Sequence, residues 1–193
     1  MSFRNAFLST LIIEVGIALL AVINYGVSLE ALQALTRFSG RASLIIFSLI
    51  FLFQHHQFIK IKSILSDKYF LVFAIAHGIH LAELLTYVYL SGIPLVPIRL
   101  AGGFLAYLLI FVMPWMEIQF QQAKITSKQF STLTLIYLYY VWFIFFMTYL
   151  SRVQGTFPSA GGSYGEHVIL LGWVSLMLGL KLSEGLLKKS NRT

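Results

Sequence analysis

Six stretches of the chain are apolar for long enough to cross a bilayer as helices, which takes about 20 residues each. They cover about 6–27, 40–58, 69–91, 98–116, 130–150 and 167–187, with short polar segments between them. The longest of these connections, Val153 to Glu166, holds Pro158 and the glycines Gly155, Gly161, Gly162 and Gly165, the composition of a flexible cover. The pattern predicts an all-α integral membrane protein, residues 1–193 forming one bundle of six transmembrane helices without an internal repeat. The first run is longer than a secretory signal and has no small-x-small cleavage site at its end, so it is expected to stay in the mature protein.

The charged residues between the runs set an orientation. With the N-terminus inside, the inner segments hold Arg4, Lys60, Lys62, Lys68, Lys124, Lys128, Lys181, Lys188, Lys189 and Arg192. The outer loops then keep only Arg37, Arg41, Arg99 and Arg152. Cytoplasmic loops carry the excess of Lys and Arg, so both termini are expected in the cytoplasm. Composition agrees with a membrane class: 58% of residues are hydrophobic and 11% charged, against about a quarter charged in soluble domains. The net charge of +7 is scattered with no basic domain to carry it. The expected partner is the lipid bilayer and not nucleic acid. With no cysteine, the chain has no disulfide, thiolate catalysis or Cys-ligated iron–sulfur centre.

One stretch breaks the apolar pattern with titratable groups. In Phe73-Ala74-Ile75-Ala76-His77-Gly78-Ile79-His80-Leu81-Ala82-Glu83-Leu84, steps of three place His77, His80 and Glu83 along one stripe of a helix. Such groups within a membrane usually face the bundle interior or a cofactor. The imidazoles read either as axial ligands of a haem or as donors of interhelical hydrogen bonds. A metal site on His77 and His80, with Glu83, is possible in ligand type. Glu14 and Glu83 could relay protons or bind a cation, or pair with a neighbouring histidine and only specify packing.

Other candidates are weaker. His55 and His56 are adjacent and point about 100° apart on a helix, so they make no shared ligand pair. His167 opens the sixth run at the surface. The fifth run is dense in aromatics (Tyr137, Tyr139, Tyr140, Trp142, Phe143, Phe145, Phe146), which suit lipid contact and interfaces or the edge of a cofactor. Gly102 and Gly103 would let a flat ligand or another helix approach. Arg99 would pair with a propionate if a haem were present, or snorkel to headgroups without one. No Ser/His/Asp set, phosphate loop or zinc-protease motif occurs.

Three stretches together resemble the ferric-reductase-like transmembrane family, in particular its short stand-alone bacterial members. Arg37-Phe38-Ser39-Gly40-Arg41-Ala42-Ser43-Leu44 resembles the start of that family's second helix, and Phe73 to Ala82 its third. Tyr139-Tyr140-Val141-Trp142-Phe143-Ile144-Phe145, followed by Tyr149-Leu150-Ser151-Arg152, resembles its fifth. The resemblance covers roughly Arg37 to Arg152. It implies a six-helix bundle that carries haem b and passes electrons across a bacterial inner membrane, with the ligand histidine falling on His80. The family's second ligand follows a leucine near the start of the fifth helix, where this chain reads Leu133-Thr134, and a further family histidine falls near Met147. The fifth run holds no histidine. A His80–Met147 pair, a five-coordinate haem, ligation through another span and loss of the haem all stay open. These 193 residues hold no flavin or nicotinamide domain after the sixth run, so the resemblance implies a separate donor, a redox partner protein or a quinone. The alternatives are a cofactor-free scaffold or partner subunit, and a small proton or metal transporter using Glu14, His77, His80 and Glu83.

Overall fold

A computed structural model describes residues 3–54, 68–94, 97–156 and 161–190. It is all-helical, with no strand among the described residues. The helices are α1 (Phe3–Tyr25), α2 (Leu29–Phe53), α3 (Tyr69–Ser91), α4 (Pro97–Gln121), α5 (Ser127–Val153) and α6 (Tyr164–Ser190). All six are long and apolar enough to cross a membrane. His55 and His56 lie outside the described residues.

Helix α3 has the expected bounds. The main departure is α2, which begins at Leu29 and not near Gly40. Gly26, in the left-handed region at φ 68°, turns the chain after α1. Ser28 then caps α2, its hydroxyl accepting the Ala31 N–H at 3.1 Å. Arg37 and Arg41, expected in an outer loop, therefore stand inside a helix. Arg152 likewise lies in the last turn of α5 and Arg99 in the first turn of α4. The α4–α5 connection shrinks to a tight turn, because α4 runs on to Gln121 and Thr126 starts α5 with a reciprocal capping box to Gln129.

Helix α2 is the centre of the bundle and packs against α1, α3, α5 and α6. Around it α1 packs on α3, α3 on α4, α4 on α5 and α5 on α6. Small residues on α2 allow this close packing: Ala31, Ala34, Ser39, Ser43 and Ser48 are all buried. Toward its C-terminus Phe47, Ile50 and Phe51 are fully covered and meet Phe70, Phe73, Tyr137 and Phe145 in an aromatic core. Ser48 also accepts the indole N–H of Trp173 from α6 at 2.9 Å.

Helix α1 is peripheral. Ile12 is 71% exposed and Ile23 77%, as suits a helix facing lipid. Its covered stripe is Thr10, Glu14 and Ala21. The two ends of the bundle differ in charge. Arg37, Arg41, Arg152 and Glu166 mark the end with the α1–α2 and α5–α6 connections (the arginine end), and Lys68, Lys124, Lys128 and Lys181 the other (the lysine end).

Candidate functional site

The antiparallel register of α2 against α3 builds the site. Tyr87 of α3 accepts a hydrogen bond from Gln33 of α2 at 2.8 Å, His80 lies against Gly40, and Phe73 against Phe47. Between the first and last of these contacts, polar side chains from three helices converge. Ser39 of α2 donates to Glu14 Oε1 of α1 at 3.1 Å. The same hydroxyl lies within reach of Glu83 of α3, and the two carboxyls interact electrostatically. Glu14 Oε2 and Glu83 Oε2 are buried without a hydrogen-bond partner.

His80 and His77 continue this group along α3, with ring centroids 5.3 Å apart. His77 is enclosed by aromatics: Phe73 stacks on it at 5.2 Å, Tyr107 of α4 at 4.9 Å, and Phe145 of α5 meets it edge-on at 5.7 Å. His80 turns its ring edge to Gly40, where a Cβ would lie 3.0 Å from Cε1 and 3.3 Å from Nε2. The Nδ1 atoms of both histidines are buried and unpartnered. Such orphaned groups are rare in a folded core and point to a proton, water or ligand that the site takes up.

A haem needs more than the residues present offer in this packing. Iron would stand in front of a ring nitrogen, but Gly40 takes that space at His80 and aromatic rings enclose His77. A ligating imidazole ordinarily gives its other N–H to an acceptor, and neither Nδ1 has one. No second ligand faces them from α5. Met147 is 40% exposed, while the covered face of α5 is Leu138, Val141, Phe145 and Tyr149. Thr134 is buried, but it lies 11 residues before Phe145, the α5 residue that touches His77. At 1.5 Å per residue, that is about 16 Å along the axis. The residues do not fit a haem held between these helices as they are packed.

The remaining candidates fall elsewhere. Among the described residues, no group of three His, Cys, Asp or Glu side chains could hold a metal ion. Gly102 serves helix packing, its carbonyl accepting the Tyr140 hydroxyl at 3.2 Å. Gly103 has open space where a side chain would stand. The side chain of Arg99 lies outside the described residues. The fifth-helix aromatics divide: Tyr137 and Phe145 are core, Phe143 is outward, and the Trp142 indole donates to the Val174 carbonyl at 2.9 Å. The sequence pattern did not single out Ser39, since one serine beside a glycine carries no signal until α1 and α3 are laid against it. Two surface recesses, of about 380 Å³ beside Met116 and Leu133 and about 180 Å³ between α1 and α2, include neither histidine.

No protein-family model, curated protein or solved structure matches the chain.

Proposed function

We propose that the chain is a proton-binding membrane protein, with Glu14, Ser39 and Glu83 as the site that takes up the proton. His80 and His77 extend the site toward the middle of the bundle. The observation that carries this reading is two carboxyls from separate helices meeting at one serine hydroxyl inside an apolar bundle. Titratable groups at such depth mark proton or ion paths. A proton is favoured over a metal ion because the described residues offer no three-ligand group.

Toward the lysine end the site is bounded by aromatic rings. Beyond His77 stand Phe47, Phe73 and Phe145, all buried. The lysine distribution supports a cytoplasmic lysine end, with both termini inside. The family resemblance supports a bacterial inner membrane as the location.

Infrared difference spectra of the protein in lipid across a pH titration test this. A carboxylic-acid C=O band that titrates in the native chain, and is altered in both Glu14→Gln and Glu83→Gln, is the expected result. A spectrum identical in all three proteins would sink the reading.

A second reading, a haem-b electron-transfer module with a separate redox partner or quinone as donor, draws support from the adjacent imidazoles and their unpartnered nitrogens. It requires α2 and α3 to part at Gly40. A reduced-minus-oxidised absorption spectrum of protein expressed with ample haem decides it. A b-type signal lost in His80→Ala supports the module, and a featureless spectrum removes it. Featureless results in both experiments leave a cofactor-free scaffold or partner subunit.

A further inference from the structure

Three arginines gather at one end of the bundle, beneath the turn that leads into α6. Arg37 and Arg41 are one helical turn apart on α2, and Arg152 stands in the last turn of α5. All three lie within electrostatic reach of one another. One acid answers them: Glu166 Oε2 pairs with Arg41 Nη2 at 3.0 Å. Among the described residues, Arg37 and Arg152 have no ion-pair partner. Three positive charges against one negative leave an excess of two.

The guanidinium groups are also short of acceptors. The Nε atoms of Arg37 and Arg41 are buried with no hydrogen-bond partner. His167, only 7% exposed, donates through Nε2 to the Gly161 carbonyl, 3.1 Å away. Its Nδ1 is buried and unpartnered. These groups meet at Gly162: a Cβ there would lie 3.0 Å from Arg37 Nη1, 2.9 Å from Glu166 Oε2 and 3.2 Å from His167 Cε1. Gly161 and Gly162 both hold positive φ, 63° and 89°, so the turn over the cluster is built without side chains.

Clustered cations with unused N–H groups are costly by themselves and are relieved by an anion with several acceptor oxygens. Guanidinium forks match the planar and tetrahedral oxyanions best, phosphate above all. We infer that Arg37, Arg41 and Arg152 form a phosphate-binding site at the arginine end, beside His167. The phosphate is either the headgroup of an anionic lipid or a free phosphate. The site is made of other residues than the Glu14–Ser39–Glu83 group, with Arg152 in electrostatic reach of His80, and its test reads phosphate and not protons.

Two measurements on the whole detergent-purified chain test the site and tell the sources apart. Calorimetric titration with inorganic phosphate reads the free anion. Native mass spectrometry after exchange into mixed phosphatidylglycerol and phosphatidylcholine reads the headgroup. If phosphate is the ligand, it binds saturably, and Arg37→Gln and Arg152→Gln each weaken it about tenfold or more. If the headgroup is the ligand, phosphatidylglycerol is retained over phosphatidylcholine in the native chain and the preference is lost in both variants. Absence of both signals, or signals unchanged in both variants, overturns the proposal. Should a glutamine variant fail to fold, Arg37→Lys carries the same test. It keeps the charge and loses the fork, so binding should weaken while helix content stays.

Discussion

Gly40 on α2 and His80 on α3 are packed so that a Cβ at residue 40 would fall 3.0 Å from the imidazole Cε1. Gly40 is an ordinary helical residue with no need for left-handed backbone, so its lack of a side chain matters for space alone. The pair fixes how closely α2 and α3 approach at the level of the buried acids.

Gly40→Ala should therefore cost about 1–3 kcal/mol in overpacking, offset by about 1 kcal/mol from the better helix propensity of alanine, for a net loss of up to about 2 kcal/mol. The thermal midpoint in detergent measures it. The same substitution in a His80→Ala background should cost much less, since the atoms it meets are gone. An equal cost in both backgrounds would show that the two residues do not touch.

How much of this was legible in the sequence depends on what each residue needed as context. The apolar run of α3 matches its helix to the residue and that of α1 to within three residues, and Glu14, His77, His80 and Glu83 stood out as titratable groups among apolar ones. The start of α2 was hidden because Gln33, Arg37, Ser39, Gly40 and Arg41 read as a polar loop. In the fold those residues face neighbours: Gln33 meets Tyr87, Ser39 meets Glu14, Gly40 meets His80 and Arg41 meets Glu166. Hydropathy marks the lipid-facing part of a helix and is silent about a polar face turned toward protein. The arginine cluster was unreadable for a related reason. Its members come from helices far apart in the sequence, and the packing of α2 beside α5 and α6 brings them together.

The end of α4 offers a stabilising change. Ala123 sits at φ 56°, and its N–H and that of Lys124 bond back to the carbonyls of Phe120 and Gln119 at 3.0 and 2.9 Å. This is a Schellman stop, whose left-handed residue is usually glycine. Left-handed backbone costs a residue with a Cβ about 1–2 kcal/mol, part of which glycine returns through its freer unfolded state. Ala123→Gly should raise stability by about 0.5–1 kcal/mol, visible as a higher thermal midpoint with unchanged helix content.

Ser48 ties α6 to the core of α2. Its hydroxyl donates to the Leu44 carbonyl at 2.7 Å and accepts from Trp173 Nε1 at 2.9 Å. Ser48→Ala leaves the indole N–H of the partly exposed Trp173 without its acceptor, a loss of about 1 kcal/mol, the usual net worth of a hydrogen bond. Trp173→Phe on top of it should add little, because the unpaired donor is removed with the ring. Denaturation midpoints of the two single variants and the double variant give the coupling directly.

Helix α1 gives the sharpest test of the membrane reading, because its acid lies inside and its isoleucines lie outside. Glu14 is 4% exposed and bonded to Ser39, while Ile12, two residues away, is 71% exposed. Two residues on a helix are about 200° apart, so the two side chains meet opposite surroundings. In water, Ile12→Asp would be harmless or helpful, since it replaces an exposed apolar side chain. In a bilayer the same change places a carboxyl against lipid, at about 2.5–3.5 kcal/mol near the middle of a span. Ile12→Asp should therefore lower the fraction of α1 that inserts, measured by outside accessibility of a cysteine placed at Val27, in the exposed α1–α2 connection of the otherwise cysteine-free chain. Glu14→Leu should leave insertion intact and remove the hydrogen bond to Ser39. Full insertion of Ile12→Asp would mean that this face of α1 is covered by protein or water, and that lipid is not its neighbour.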